Sequence, residues 1–338
     1  MEFEVIERGP GDLRQSLTPA DVQAACRCAF GPDVAVMSVR ELGGGEFNSV
    51  YCIALAGRAP VVLRVAPPPG RARAWHEQDL MRHEHTIRPY FAPIASLLPV
   101  TLAIDFTHQV LDRDYLFQSF MPGERWKDIA SQLTPAEEER LWRQLAQVAR
   151  SIHDVQGETF GHPHPGRQFS TWSATILDWM RRSLADAQRA GLDASILREL
   201  QELYDFTQAH ADLVDEVTVP RLLHGDLWPM NILIERGVAG VHISAVLDSD
   251  RVSWGDPLAD WTFYLLPRRA SARVQAIFWD EYGRPDTTRG ARFRAHVYEG
   301  LHLGNVLSEV RRRGRTDLEP EVQMELHATL DRMRGMSG

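Results

Sequence analysis

Two aspartates and an asparagine in the second half of the chain have residue types and spacing suited to phosphate chemistry. Asp226 and Asn231 lie five residues apart, and Asp248 follows them. Phosphoryl transfer needs little covalent help from a protein, but it needs bound magnesium and a positioned acceptor hydroxyl. Mg²⁺ accepts carboxylate and amide oxygens. The set therefore predicts Asn231 and Asp248 as ligands of Mg²⁺, and Asp226 as the residue that faces the hydroxyl.

A predicted β-hairpin positions these three side chains. Residues 232–234 and 243–247 are short apolar runs that flank a Gly-containing turn, the pattern of two paired strands. Asp226 and Asn231 precede the first strand, and Asp248 ends the second. The hairpin therefore brings the loop and the second aspartate to the same end of the sheet.

The segment His224-Gly225-Asp226 with Asn231 resembles the catalytic loop of the aminoglycoside phosphotransferase and choline kinase family, which has a protein-kinase-like fold. The resemblance implies that Asp226 is catalytic and that Asn231 and Asp248 bind the metal. Trp254-Gly255-Asp256-Pro257 resembles the Gly-Asp-Pro signature of this family at the same spacing after the metal-binding aspartate. For Asp256 and Asp260 we expect structural roles, and for His224 a buried, hydrogen-bonded imidazole.

The first half of the chain contains matching candidates for a nucleotide site. A glycine-rich turn at residues 42–51 lies between two strand-like runs and brings backbone N–H groups within reach of phosphates. This turn resembles the nucleotide-positioning loop of the family, and residues 115–123 resemble its hinge strand. The resemblance implies that the residues binding ATP or GTP include Gly44, Gly45, Asn48, Ser49, Gln118 and Phe120.

An arginine occupies the strand position at which such kinases carry a phosphate-binding lysine. The only lysine of the chain is Lys127, and the strand residue is Arg64. Arginine keeps its charge and has a planar fork that suits phosphate and carboxylate, so it can replace the lysine. Its carboxylate partner is expected on the helix predicted at residues 71–91. Glu84 is the favoured partner because it lies near the apolar side of that helix, whereas Glu77 is expected to be solvated.

The whole-chain pattern predicts an α+β, bilobal protein-kinase-like fold. Residues 1–123 form an N-terminal antiparallel sheet lobe with the hinge, and residues 124–338 form a larger, mainly helical lobe with the catalytic and acceptor sites. Thr134, Pro135 and Glu137 are a capping box that begins the first helix of the second lobe.

Charge and hydropathy limit the partners. The formal net charge of -9 gives no basic footprint for nucleic acid, and no stretch is apolar enough to span a membrane, so a cytoplasmic protein is expected. The predicted partners are a nucleoside triphosphate and a small hydroxyl-bearing molecule. Both halves are acidic, which favours a cationic acceptor such as an aminoglycoside-like antibiotic or amino sugar, with Asp250 and Glu299 as its candidate contacts or as merely solvated carboxylates.

Three other functions remain open at this stage. A kinase for a metabolic alcohol, such as choline, homoserine, a fructosamine or a sugar, would use the same phosphate machinery. A protein kinase is disfavoured because no Ala-Pro-Glu anchor follows Asp248. A non-catalytic pseudokinase that only binds nucleotide would not need Asp226, Asn231 and Asp248 together.

Overall fold

The computed structural model describes residues 1–7, 14–43, 47–69, 73–163, 166–238, 240–284 and 286–336. The chain forms two compact units. The first comprises Met1–Ala72, Ser96–Gly123 and Ser244–Leu247, and the second comprises Arg73–Ala95, Glu124–Ile243 and Asp248–Gly338. No helix in the described ranges is both long and apolar enough to cross a membrane.

The first unit is built on a six-stranded sheet. Its strands, in sheet order, are β1 (Glu2–Glu4), β2 (Val36–Leu42), β3 (Ser49–Leu55), β4 (Val61–Val65), β6 (Tyr115–Ser119) and β5 (Thr101–Asp105). The expected antiparallel pairing is confirmed from β2 to β5, whereas β1 runs parallel to β2, so the sheet is mixed. Alternation in β3 buries Tyr51, Ile53 and Leu55, and these join helix α1 (Pro19–Phe30) in one apolar core.

The second unit is mainly helical. Its helices are α2 (Leu80–Ile87), α3 (Trp126–Ile129), α4 (Pro135–His153), α5 (Trp172–Arg189), α6 (Ala194–Ala209), α7 (Ala211–Val214), α8 (Trp261–Arg269), α9 (Ala272–Tyr282), α10 (Arg289–Arg312) and α11 (Glu319–Gly335). The predicted capping box at Thr134 is confirmed as the start of α4. Helices α5, α6, α10 and α11 enclose the main apolar core.

The helix predicted at residues 71–91 is broken in the structure. A 3₁₀ turn at Trp75–Glu77 precedes α2, and a second 3₁₀ stretch, Arg88–Leu97, follows it. Asp79 adopts a left-handed backbone conformation with φ 54°, which ends the first turn, and prolines at 89 and 93 prevent a regular α-helix beyond α2. The apolar spacing of this segment is helical, as predicted, but Asp79 and the two prolines divide the segment into three short helical pieces.

Two small sheets position the candidate site. One contains β10 (Arg221–Leu223), β13 (Ser253–Gly255), β8 (Phe160–Gly161) and β9 (Gln168–Phe169), in that order. The other places β11 (Ile232–Gly237) between β12 (Gly240–Val246) and β7 (Glu124–Arg125), which confirms the predicted hairpin. The loop between β10 and β11 carries Asp226 and Asn231.

Candidate active site

Asp226 and Asn231 are joined directly within the loop between β10 and β11. The amide nitrogen Nδ2 of Asn231 donates to the backbone oxygen of Asp226 at 2.9 Å and to its carboxylate Oδ2 at 2.8 Å. The backbone N–H of Asp226 donates to Nδ1 of His224 at 3.3 Å. These bonds fix the Asp226 carboxylate, and they turn the amide oxygen of Asn231 away from it.

His224 is a fully buried imidazole, as expected from the sequence. Its exposed fraction is 0%, and it accepts the Asp226 N–H through Nδ1. Burial lowers the pKa of His224, with nearby carboxylates opposing that effect. A neutral ring that accepts a backbone hydrogen bond supports the loop and does not act as a base.

A buried aspartate from the start of α8 holds the backbone of the same loop. Asp260 accepts the N–H of His224 and the N–H of Gly225, each at 3.0 Å, and its Oδ2 lies 3.0 Å from Nε2 of His153. It also accepts the N–H of Trp261 at 2.8 Å. Burial alone would raise the pKa of Asp260, but the His153 and backbone hydrogen bonds lower it. The expected structural role is confirmed, because this carboxylate ties the loop to two helices.

Gly225 is required where the loop passes closest to the following chain. Its φ of +78° lies in the left-handed region, and a Cβ at this position would lie 2.2 Å from the backbone oxygen of Arg251. Both the backbone angle and the lack of space exclude a larger residue. The His-Gly-Asp order therefore has a steric reason at its central position.

The pKa of Asp226 is raised to about 6 from 3.8. Burial is the main cause, the guanidinium of Arg251 opposes it, and the nearby carboxylate of Asp248 adds to it. A carboxylate with a pKa near the working pH is a more effective proton acceptor than an ordinary surface aspartate. The environment of Asp226 therefore suits general base chemistry.

Asp248 follows β12 with an unusual backbone. Its φ is +56°, one of three left-handed non-glycine residues in the described ranges. Strained conformations of this kind cluster at functional sites. Its carboxylate and the amide oxygen of Asn231 are hard oxygen donors of the kind that Mg²⁺ prefers, an ion that binds few protein ligands and keeps several waters. The described residues contain no cluster of three or more His, Cys, Asp or Glu side chains arranged for a metal.

Asp256 is a structural residue, as the sequence indicated. It caps the 3₁₀ turn Pro257–Ala259 through the N–H of Leu258, and its Oδ2 accepts from Nε of Arg294 at 3.0 Å and from the hydroxyl of Tyr298 at 2.7 Å. The Gly-Asp-Pro segment is thus attached to α10 by a buried ion pair.

The candidate nucleotide residues belong to the first unit. Arg64 is 5% exposed on β4, and Gln118 is 3% exposed on β6. Asn48 and Ser49 are buried at the start of β3, where the Ser49 hydroxyl donates to the backbone oxygen of Gln15 at 3.4 Å, while Phe120 is exposed. Gly44 and Gly45 lie outside the described residues.

The expectation that Glu77 is solvated was wrong. Glu77 is 3% exposed, and its two carboxylate oxygens each accept from the guanidinium of Arg312 at 3.0 Å. Oε2 also accepts the N–H of Ala74 at 2.7 Å. Helical spacing could not reveal this pair, because Arg312 is 235 residues further along the chain. Glu84 is buried on α2, so both glutamates of this segment are inside the protein.

A cavity of about 620 Å³ in the second unit reaches the Asp226 carboxylate. Sequence reasoning did not identify most of its walls, which are formed by aromatic side chains from several helices: Trp75, Trp179, Trp261, Phe263, Tyr264, Trp279 and Tyr298. A dense set of tryptophans in the second half of the sequence was the available signal. The volume is in the range that holds a drug-sized ligand.

A sequence model described as the phosphotransferase enzyme family matches residues 38–293 of the chain. The chain belongs to this family. It is therefore a phosphotransferase. No curated protein matches the sequence.

Solved structures of aminoglycoside phosphotransferases share the fold of this phosphotransferase. APH(4)-Ia is 20% identical, with a TM-score of 0.67 over 93% of this chain and 99% of that chain. A ternary complex of a thermostable APH(4)-Ia mutant with AMP-PNP and hygromycin B gives a TM-score of 0.65 at 22% identity, over 94% of this chain and 99% of that chain. A GDP and kanamycin complex of APH(2")-IIia gives 0.62 at 19% identity, over 91% and 97% of the two chains. These similarities confirm the predicted kinase-like fold.

Asp250 and Glu299 differ in their settings in the phosphotransferase. Asp250 is 7% exposed, and its charge acts on the neighbouring Arg251. Glu299 lines the cavity, but its carboxylate is bound by the guanidiniums of Arg268 and Arg332 and lies 3.3 Å from Nδ1 of His296. The charge of Glu299 is therefore compensated by two guanidiniums.

Proposed function

We propose that this phosphotransferase moves the γ-phosphate of ATP or GTP to a hydroxyl of a small acceptor bound in the aromatic cavity. The observation that carries the proposal is Asp226, a carboxylate with a pKa raised to about 6, which is fixed by Asn231 and lines the cavity. A positioned base that reaches an acceptor pocket is the arrangement that hydroxyl phosphorylation requires.

In the proposed reaction the acceptor oxygen forms a bond to the γ-phosphorus as the bond between that phosphorus and the bridging oxygen breaks. The hydroxyl proton passes to Asp226, and the nucleoside diphosphate leaves with the electron pair of the broken bond. When bound, Mg²⁺ would offset the charge on the phosphate oxygens, and Asn231 and Asp248 are the residues that would hold it.

Either ATP or GTP suits the proposal, because the similar structures include complexes with AMP-PNP and with GDP. Arg64, paired with Glu84, is the proposed phosphate contact, supported by its burial on a strand of the first unit. The remaining proposed nucleotide contacts are Gly44, Gly45, Asn48, Ser49, Gln118 and Phe120. Use of a nucleoside triphosphate also supports a cytoplasmic location.

An aminoglycoside or other amino sugar is the first acceptor to test, because hygromycin B and kanamycin are named in the similar complexes. Asp250 is the proposed contact for such a cation. A kinase for a metabolic alcohol is the second candidate, and it is favoured by the compensated charge of Glu299. A pseudokinase is disfavoured, since it has no use for a base with a tuned pKa.

The experiment is nucleoside diphosphate release from ATP and from GTP, with magnesium, against a panel of aminoglycosides and small alcohols. For any accepted compound, Asp226→Asn should lower kcat by about 10² to 10⁴ and leave nucleotide binding nearly unchanged. The wild-type kcat/KM should fall as pH drops below about 6, as Asp226 becomes protonated. Wild-type turnover by the Asn variant would refute the assigned base.

A further inference from the structure

The cavity that reaches Asp226 has two aromatic walls. On one, Trp75 and Trp179 have ring centroids 5.9 Å apart, and the ring of His162 lies 5.1 Å from Trp179. On the other, Trp261 lies 5.1 Å from Tyr264, and His302 lies 4.1 Å from Trp261. Large apolar ring surfaces gain free energy mainly by covering other apolar surface, and by stacking on rings.

The histidines among these rings add no charge at neutral pH. Burial, followed by the charge of Arg251, lowers the pKa of His76 and of His302 to about 3. Burial lowers the pKa of His162 to about 4. These imidazoles therefore act as neutral aromatic surfaces in the cavity.

The fixed charges of the lining nearly cancel. Four carboxylates and three guanidiniums line the cavity, and one of the carboxylates is Asp226 itself. Glu299 is bound by Arg268 and Arg332, and Oε1 of Glu309 lies 2.9 Å from Nη2 of Arg313. A ligand with several ammonium groups would meet guanidiniums and would lose hydration against aromatic rings, without a set of spare carboxylates to replace that hydration.

Hydrogen-bonding capacity remains in the walls even though their charge is low. Among the described residues, the indole N–H groups of Trp75 and Trp261 and the ring nitrogens His76 Nδ1 and His162 Nε2 are buried without a hydrogen-bond partner. The indole N–H groups suit isolated hydroxyl or carbonyl oxygens on an otherwise apolar ligand, because each would satisfy one costly buried polar atom. Nδ1 of His162 lies 3.1 Å from the backbone oxygen of Val252 and donates to it, so Nε2 of the neutral ring is an acceptor and suits a ligand hydroxyl that donates.

We propose that the acceptor is a largely apolar, ring-bearing alcohol or phenol with few or no positive charges, and not a polycationic sugar. The proposal rests on the proposed phosphotransferase function in calling the ligand an acceptor. The class of ligand follows from the aromatic walls, the neutral imidazoles and the compensated carboxylates.

Calorimetric titration of the full chain with magnesium and AMP-PNP tests the proposal without turnover, using 2-naphthylmethanol and kanamycin as probes. The neutral ring-bearing alcohol should bind at least about tenfold more tightly than kanamycin, since one stacked and covered ring is worth a tenfold change or more. Tyr264→Ala and Trp179→Ala should each weaken naphthyl binding by about tenfold or more, and Trp179→Phe should recover part of the loss.

Met324→Ala is the matched control, because Met324 is a 66% exposed apolar residue of the same unit that does not line the cavity. Its titration should overlay that of the wild type. Thermal unfolding of every variant separates lost binding from lost folding.

The proposal would be overturned if kanamycin bound more tightly than 2-naphthylmethanol. It would also be overturned if the cavity variants folded normally and bound 2-naphthylmethanol as tightly as the wild type does. Phosphorylation of kanamycin would do the same while supporting the phosphotransferase function. A different result is also informative: 2-naphthylmethanol could bind and lose affinity in the cavity variants while no acceptor causes diphosphate release. That result would support the proposed class of ligand and refute the proposed phosphotransfer.

Discussion

At the scale of single residues, Asp226 meets two requirements that oppose each other. A base must be ionised to accept a proton, yet burial beside Asp248 makes ionisation costly and raises its pKa to about 6. Such a residue is expected to improve chemistry while it lowers the stability of the folded chain. The balance is measurable, because the two effects depend differently on pH.

Asp226→Asn should stabilise the protein at pH 8 and leave it unchanged near pH 3.5. The raised pKa means that the folded chain holds the proton more tightly than the unfolded chain, so ionisation costs the folded state up to about 3 kcal/mol above pH 6 and nothing below 3.8. An asparagine carries no such penalty and can still accept the Asn231 hydrogen bond. Urea unfolding at both pH values is the measurement, and equal stability at pH 8 would contradict it.

The metal proposal is best tested with substitutions that preserve the backbone. Asp248→Asn removes charge but tolerates the left-handed conformation at this position, whereas Asp248→Ala adds strain. Asp248→Asn and Asn231→Ala should each raise the magnesium concentration needed for half-maximal turnover, with the larger shift for Asp248, because it supplies full charge. Magnesium titrations that superimpose on the wild-type curve for both variants would refute these ligands.

The sequence identified residues whose roles depend on near neighbours. His224, Gly225, Asp226 and Asn231 are linked within one short loop, so their spacing carries the information. The prediction for Glu77 was wrong because its guanidinium partner, Arg312, comes from a distant position in the sequence. A single sequence contains no signal for such pairs.

At the scale of elements, capping chemistry was the most reliable local signal. Thr134 begins α4 as predicted, and an equivalent box at Thr18, with Pro19 and Asp21, begins α1. The second box follows the same pattern, so the start of α1 is also predictable from the sequence. The broken helix around α2 was harder, because a left-handed Asp79 is set by its surroundings.

Asp260 connects the loop between β10 and β11 to helices α4 and α8, and the loop depends on these contacts. Asp260→Asn should replace one acceptor oxygen with an N–H group that faces another donor, either a backbone N–H of the loop or the His153 ring. We expect a loss of about 2–4 kcal/mol of unfolding free energy and a lower kcat, with the nucleotide KM little changed.

Glu158→Gln, at an exposed position of the same unit that does not line the cavity, is the control for the loss of one carboxylate. This variant should leave both the free energy of unfolding and kcat unchanged. If Asp260→Asn matched this control in stability and in kcat, the loop would not depend on the Asp260 contacts.

At the scale of the whole molecule, net charge does not describe the charge of the cavity lining. The chain carries a formal charge of -9, yet the cavity is lined by four carboxylates and three guanidiniums, and Glu299 and Glu309 are both ion-paired. Composition fixes the sum of the charges but not which of them are compensated. The fold class, in contrast, was predicted correctly from the order of strands, helices and motifs, because the sequence contains that order directly.

The proposed Arg64 and Glu84 pair concerns nucleotide use, so its test measures the activity of the whole enzyme. Arg64→Ala should raise the nucleotide KM and lower kcat, Arg64→Lys should recover part of both, and Glu84→Ala should resemble Arg64→Ala. In the double variant the losses should not add, because either substitution alone already removes the interaction. Strict additivity in kcat/KM would show that the two side chains act independently.

The single lysine gives this protein an unusual chemical handle. Lys127 is exposed on α3, and its Nζ lies 3.4 Å from Sδ of Met230, the residue before Asn231. All other basic side chains are arginines, which do not react with amine-directed reagents. A fluorophore coupled through such a reagent would therefore attach only here and at the amino terminus, and it would report changes in the neighbouring loop without any engineered cysteine.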